Sequence, residues 1–151
     1  MNDRLTKLFS TFFYLGYSPF AGGSIASVAG GILAITLRGN GALYFLVFTL
    51  VTVAGFITSE RMEKLAGEKD PACIVIDEVS GALIAFFLLP QTPAVLVTAF
   101  FLYRAFDMFK IYPADVLEER PGAVGVMMDD IVAGVYTLII MQIAVRLAGV
   151  L

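Results

Sequence analysis

Five apolar runs follow one another along the chain, separated by polar or glycine-containing segments. They lie at about 24-37, 42-58, 79-89, 93-106 and 131-150. A helix that crosses a bilayer needs ~20 residues, with ~17 at the low end, and only the second and last runs reach that length comfortably. The other runs need tilt, flanking Gly and Ser residues, or shelter from neighbouring helices. This pattern predicts an all-α, polytopic membrane helical bundle with about five spanning helices, four being the alternative.

The first segment, 1-16, has a shorter pattern of its own. Its large apolar residues share one helical stripe behind charged residues at the start: Leu5, Leu8, Phe9, Phe12 and Phe13. Such an amphipathic helix is typical of the membrane interface. Polar residues interrupt the stretch at 16-19 and no A-x-A-like cleavage site follows, so we expect no removable signal peptide.

Composition supports a membrane protein and excludes several other classes. Of the 151 residues, 59% are hydrophobic, which is more than a soluble fold can hide. The net charge is -3 and the basic residues are scattered, which argues against nucleic-acid binding. A single cysteine and no histidine exclude an intramolecular disulfide and a His/Cys zinc site. No linker or low-complexity tract divides the chain, so 1-151 is predicted to be a single membrane-embedded domain.

The charged residues predict how the spans are oriented. Threading the apolar runs through a bilayer places 1-23, 59-78 and 107-130 on one side, and only the turns 38-41 and 90-93 on the other. The first side carries most of the Lys and Arg residues and is therefore expected to face the cytoplasm. All 13 acidic residues lie there too, which concentrates any carboxylate chemistry on the cytoplasmic face.

Two acidic pairs, Asp77-Glu78 and Asp129-Asp130, each follow an apolar run and precede a small residue that opens an apolar helix. One interpretation is that they complement helix dipoles, worth ~0.3–1 kcal/mol each. The other is functional, because ionisable groups in apolar membrane sequence are costly. Four carboxylates brought together need a cation, and an all-oxygen site suits Mg2+, or Mn2+. We therefore predict a divalent metal site made of Asp77, Glu78, Asp129 and Asp130.

A basic cluster and a glycine-containing loop could bind phosphate beside such a metal. Arg104, Asp107 and Lys110 can share one helical face, either as a structural ladder of salt bridges or as a further carboxylate flanked by two phosphate-binding cations. The loop reads Gly22, Gly23, Ser24, with Ser27 one turn further. Its backbone N–H groups could approach an anion, or the glycines could form a simple turn with Ser24 as N-cap. Together these elements suggest metal-assisted chemistry on a phosphate carried by a lipid.

These stretches together resemble the bacterial phosphatidylglycerophosphatase A family. The matching residues occur in the family's order over most of the chain: Gly16 to Gly30, Asp70-Pro71, Asp77-Glu78, Gly81, Arg104, Phe106-Asp107, Lys110, Gly125, Asp129-Asp130 and Gly134. The resemblance implies an all-helical, Mg2+-dependent phosphatase of the bacterial inner membrane. It would remove the terminal phosphate of phosphatidylglycerophosphate to give phosphatidylglycerol. Residues 22-27 read Gly-Gly-Ser-Ile-Ala-Ser where the family usually has Pro-Gly-Thr-Trp-Gly-Ser, a departure that bears on head-group recognition.

The combined hypothesis gives each residue a role. The catalytic carboxylates are Asp77, Glu78, Asp107, Asp129 and Asp130. The substrate-binding residues are Gly22, Gly23, Ser24, Ser27, Arg104 and Lys110. Water is the expected nucleophile, with an aspartyl-phosphate as the alternative. Cys73 lies in an apolar run and is expected to be dispensable.

Two other functions would use similar residues. A small carboxylate-based cation or proton transporter should spread its acids through the bilayer, whereas here they gather at one face. A metal-dependent lipid phosphotransferase of the CDP-alcohol type should carry a D-G-x2-A-R motif, which this sequence lacks. The short spans would also fit helices that shelter one another within a homo-oligomer.

Overall fold

The computed structural model describes residues 2–149, and within them the chain is entirely helical. Its α-helices are α1 (Asp3–Ser10), α2 (Gly22–Leu37), α3 (Gly41–Ala66), α4 (Ile76–Ala85), α5 (Pro93–Phe109), α6 (Ala114–Glu118) and α7 (Ala123–Leu147). A 3-10 turn at Leu15–Tyr17 joins α1 to α2. The prediction of an all-α fold is confirmed.

Caps in the short turns fix where the long helices begin and end. The Asn40 side chain accepts a hydrogen bond from the Leu43 N–H at 3.0 Å and caps α3. Gly67, with φ of 77°, ends α3 in the left-handed conformation that glycine adopts most easily. Thr92 caps α5, and Pro93 occupies its first turn, where a missing N–H costs nothing. The turns predicted at 38-41 and 90-93 are therefore real helix boundaries.

Two helices, α3 and α7, are long and apolar enough to cross a membrane, and α2 is a shorter apolar helix. The prediction of about five spanning helices is not confirmed. The third predicted run, 79-89, contributes only the ten residues of α4, about 15 Å at 1.5 Å per residue. That is half of a ~30 Å hydrocarbon core.

The short helix α4 lies at the centre of the bundle, packed against α2, α3, α5 and α7. Its side chains Val79, Ala82 and Leu83 are fully buried. A Cβ atom at Gly81 would lie 2.6 Å from the Asp130 carbonyl oxygen, so the glycine lets the backbones of α4 and α7 approach closely. This contact places the first turn of α4 beside the second turn of α7, and so brings the two acidic pairs together.

The N-terminal helix is shorter than the predicted segment 1-16, because α1 ends at Ser10 and leaves Phe12 and Phe13 outside it. Both phenylalanines have positive φ and turn the chain back. α1 packs on α3, burying Thr6 and Ser10, and the Ser10 carbonyl accepts a hydrogen bond from the Val75 N–H at 3.0 Å. The small polar face of α1 thus points into the protein, while Leu5 on the opposite side is exposed.

α3 presents a broad apolar surface to its surroundings. Phe45, Leu46 and Leu50 are each more than half exposed on this helix. Apolar surface of this extent marks contact with a membrane or a protein partner. It agrees with α3 being one of the two helices that are suited to cross a bilayer.

Candidate active site

A cavity of about 840 Å³ opens at one end of the bundle, where the three segments predicted to share one side meet. Its walls come from the loop before α2, the first turn of α4, the end of α5 and the start of α7. The lining residues include Gly22, Gly23, Ser24, Asp77, Glu78, Arg104, Asp107, Lys110, Asp129 and Asp130. Of the predicted site residues, Ser27 is the one absent from the cavity wall, although it contacts Arg104 from behind.

Three carboxylates form the centre of the site, and we refer to Asp77, Glu78 and Asp130 as the carboxylate trio. One oxygen from each lies within 4.8 Å of the others. Asp77 and Asp130 are only 6% and 3% exposed. None of the ion pairs formed within residues 2–149 includes a member of this trio. Like charges held this close out of water need a positive partner or bound protons.

Unpartnered oxygen atoms show where such a partner would fit. Asp77 Oδ1, Glu78 Oε2 and Asp129 Oδ1 are buried and have no hydrogen-bond partner in the described part of the chain. Buried polar atoms are otherwise almost always satisfied. Mg2+ and Mn2+ are bound by carboxylate oxygens, and the chain has no histidine to compete. The residues present therefore fit a hard divalent cation.

A tyrosine holds the trio in place from α5. Tyr103 is fully buried, and its hydroxyl donates a hydrogen bond to Asp130 Oδ1. The same hydroxyl lies 3.2 Å from the Glu78 carbonyl oxygen. Tyr103 thereby links α4, α5 and α7 at the base of the cavity. The sequence analysis missed this residue, since an aromatic one position before Arg104 is indistinguishable from an ordinary core residue.

The start of α2 closes the other side of the trio. A Cβ atom at Gly23 would overlap Glu78 Oε1, so only glycine admits the carboxylate here. α2 begins at Gly22, after Ala21, which offers no side-chain cap. Ser24 is therefore inside the first turn, and the interpretation of Ser24 as an N-cap is wrong. The first-turn N–H groups of a helix without a side-chain cap are available to an anion.

Two further acidic residues of the site, Asp107 and Asp129, are each paired with a cation, and we call them the cation-paired carboxylates. Arg104 contacts Asp107 at 2.5 Å and also lies 3.4 Å from Ser27 Oγ. Lys110 donates to Asp129 Oδ2 at 2.8 Å and contacts Glu118 at 2.6 Å. The predicted ladder along α5 thus forms only between Arg104 and Asp107. Lys110 instead reaches from the end of α5 to α7 and α6.

Groups outside the helices add to the electrostatics of the site. Burial and the nearby charge of Asp129 raise the pKa of Asp70 at the cavity mouth to about 6. Burial lowers the pKa of Lys110, but hydrogen bonds to Asp129 and Glu118 outweigh it and leave the pKa above its ordinary value. Burial raises the pKa of the Cys73 thiol, which disfavours the reactive thiolate. Asp70 and Glu118 were not among the predicted site residues.

A helical bundle with an acidic cavity bordered by an arginine and a lysine is typical of enzymes that act on phosphate esters. Residues 8–145 match the family described as Phosphatidylglycerophosphatase A, and the chain belongs to this family. It is accordingly a phosphatase of phospholipid metabolism. This agrees with the family resemblance of its motifs and disfavours the transporter and phosphotransferase alternatives.

The names of its relatives refer to two different lipid head groups. A Bacteroides thetaiotaomicron protein, provisionally named a phosphatidylinositol-3-phosphatase, is 36% identical over 155 residues, covering 93% of each chain. The Haemophilus influenzae Phosphatidylglycerophosphatase A is 30% identical over 82% of this chain and 76% of its own. The Escherichia coli Phosphatidylglycerophosphatase A is 37% identical over 62% of this chain and 55% of its own. No solved structure matches the chain significantly.

Proposed function

We propose that this protein is a Mg2+-dependent phosphatidylglycerophosphatase of a bacterial inner membrane. It hydrolyses phosphatidylglycerophosphate to phosphatidylglycerol and phosphate. The observation that supports this best is the carboxylate trio, which lies beside Arg104 and Lys110 in one cavity. One oxygen of each member lies within 4.8 Å of the others, and none of the three residues forms an ion pair within residues 2–149. A metal between acids, with cations at its edge, suits phosphomonoester hydrolysis because both stabilise the charge on the phosphate oxygens.

The residues divide into metal-binding and phosphate-binding groups. Asp77, Glu78 and Asp130 would hold the ion, and the free Oδ1 of Asp129 would join them. A bound divalent ion would neutralise the phosphate and lower the pKa of a water molecule. Arg104 and Lys110 would steady the phosphate oxygens, together with the N–H groups at the start of α2. An unpartnered carboxylate oxygen would accept the proton of the attacking water.

The membrane placement is part of the proposal. The cavity sits at the end of the bundle that carries the acidic segments, and we place that end at the cytoplasmic face. α3 and α7 would span the bilayer, with α2 and α5 alongside them. α4 need not span, since irregular backbone at membrane depth is tolerated where protein surrounds it. Its burial among four helices supplies that shelter.

The test is phosphate release by purified protein from a panel of phosphomonoesters in mixed micelles, with Mg2+, with Mn2+, and with a chelator. We expect release from phosphatidylglycerophosphate with either metal and none with the chelator. As a control, Asp115→Asn removes an exposed carboxylate outside the cavity and should leave turnover unchanged. Metal-independent release, or no release from any lipid phosphate, would contradict the proposal.

Phosphatidylinositol 3-phosphate is a second candidate substrate. The Bacteroides thetaiotaomicron relative carries that activity in its name and aligns with 93% of this chain. Two of the positions at which 22-27 departs from the usual family motif, Gly22 and Ser24, lie in the cavity wall, where they would touch a head group. Equal amounts of both lipids in the panel decide between them by the ratio of kcat/KM values.

A further inference from the structure

An apolar groove runs between α2 and α5 on the outside of the bundle. It has a volume of about 280 Å³ and lies over Gly31 and Phe86. Phe86 is 8% exposed, and a Cβ atom at Gly31 would lie 3.3 Å from its ring, so glycine at this position keeps the groove open. The rim is formed by exposed aliphatic side chains, Ile32 on α2 and Val97 on α5.

The groove begins one helical turn from the active-site cavity, because Ser24 on α2 lines the cavity and Val28 lines the groove. α2 runs away from the cavity and α5 runs toward it, so the two helices are antiparallel along the groove. Its near end is Val28, the residue after Ser27, which contacts Arg104. From Val28 to Ile35 it extends about 10 Å along α2, at 1.5 Å per residue. A molecule with its phosphate at Arg104 would therefore find an apolar channel directly beside it.

We propose that the α2/α5 groove binds one acyl chain of the lipid substrate while the phosphate lies at Arg104. This inference rests on the proposed function. It adds that recognition depends on chain length as well as on the head group. The groove is apolar and runs along the two helices, and its open side faces the surroundings of the bundle. An acyl chain of a bilayer lipid is also apolar and lies roughly along the spanning helices. In a bilayer the chain is already in apolar surroundings, so the groove gains affinity through van der Waals contacts along the chain rather than through transfer from water.

The test fills the groove with a bulky side chain. Val97→Trp places an indole at the rim, where the valine is 54% exposed. Its matched control is Val53→Trp on α3, where the valine is 48% exposed and does not line the groove. Phosphate release is measured from a long-chain lipid phosphomonoester and from its six-carbon analogue. We expect Val97→Trp to lower kcat/KM for the long-chain lipid by about fivefold or more, because the indole occupies space that the chain would contact, and to leave the short-chain value unchanged.

A second pair keeps the test decisive if Val97→Trp fails to fold. Ile32→Trp enters the groove from α2, and Ile139→Trp on α7 is the control, with exposures of 59% and 51%. Equal effects of groove and control variants on the long-chain lipid would overturn the proposal. So would a change in oligomeric state without a change in chain-length preference, which would assign the groove to a second copy. If the wild-type protein released no phosphate from either lipid, the proposed function itself would fail.

Discussion

The carboxylate trio and the cation-paired carboxylates lie in one cavity but differ in how their charge is compensated. Asp77 and Glu78 have buried oxygens without a partner, and no basic side chain pairs with the trio in residues 2–149. Asp107 and Asp129 each contact a cation within 2.8 Å. The cation-paired carboxylates can be stable in the protein alone, whereas the trio needs something from outside. An uncompensated charge therefore marks the proposed metal site better than the number of acids does.

The largest effect is expected from neutralising the trio. Asp77→Asn should lower phosphatase turnover more than ~100-fold, because it removes a ligand charge rather than an outer-shell contact. The same change should raise the thermal midpoint of the metal-free protein by about 2–4 °C, since it relieves repulsion among buried acids. Phosphate release in the presence of Mg2+ measures the turnover, and calorimetry in the presence of a chelator measures the thermal midpoint of the metal-free protein. Wild-type turnover of the variant, or a lower thermal midpoint, would show that the charge of Asp77 is compensated within the protein.

Asp129→Asn tests the residue that shares features of both groups. Asp129 Oδ2 is paired with Lys110 and Oδ1 is free. We expect a ~10–100-fold fall in turnover, partly recovered at raised Mg2+ because a weakened site refills by mass action. The thermal midpoint should fall, since Lys110 loses a charge-assisted hydrogen bond. An unchanged midpoint would mean that Glu118 alone compensates Lys110.

Arg104→Lys keeps the charge but removes the planar fork that contacts Asp107 and faces Ser27. We expect kcat/KM to fall about tenfold, the equivalent of ~1.4 kcal/mol, mainly through a higher KM. Arg61→Lys, at an exposed salt bridge with Asp3, is the control and should change nothing. If kcat fell by a larger factor than the affinity for substrate, Arg104 would act in the chemical step rather than in phosphate binding.

The smallest effect is expected at Cys73. Its thiol lines the cavity, yet burial raises its pKa, so it behaves as a small apolar group. Cys73→Ser should keep at least about half of the Mg2+-dependent activity, because it replaces the sulfur with a similar small group. Incubation of the wild type with a thiol reagent should reveal no essential nucleophile. Complete loss of activity in a folded Cys73→Ser protein would show that the reaction depends on the thiol as well as on the two groups of carboxylates.

The sequence predicted the helical class and ten of the eighteen residues that line the cavity, because carboxylates in apolar stretches are rare enough to be informative. It did not separate the two members of the pair Asp129-Asp130. Adjacent residues on a helix point about 100° apart, so one meets Lys110 and the other meets Tyr103. Which faces which depends on the close contact of α4 with α7 at Gly81, and no local pattern encodes that register.

The hydrophobic pattern also did not predict where the helix that carries the second acidic pair begins. The last apolar run covers about 131-150, whereas α7 begins at Ala123, just after Gly122 with φ of 68°. The acids interrupt hydropathy without interrupting the helix, since their side chains reach into a polar cavity. Because α7 begins at Ala123, Asp129 and Asp130 lie in its second turn, where the interpretation that they complement the helix dipole no longer applies. Asp77 and Glu78 do occupy the first turn of α4.

The buried position of α4 governs the order in which the protein can be assembled during synthesis. A ten-residue helix that begins with two acids is too short and too polar to enter a bilayer by itself. α4 must wait for its neighbours, and one of them, α7, is the last helix to leave the ribosome among those described. Until α7 has been synthesised, the cavity lacks Asp130 and the Gly134 surface that packs on Gly81. On the proposed role of the trio, we therefore expect partly translated chains to release no phosphate until the complete bundle has formed.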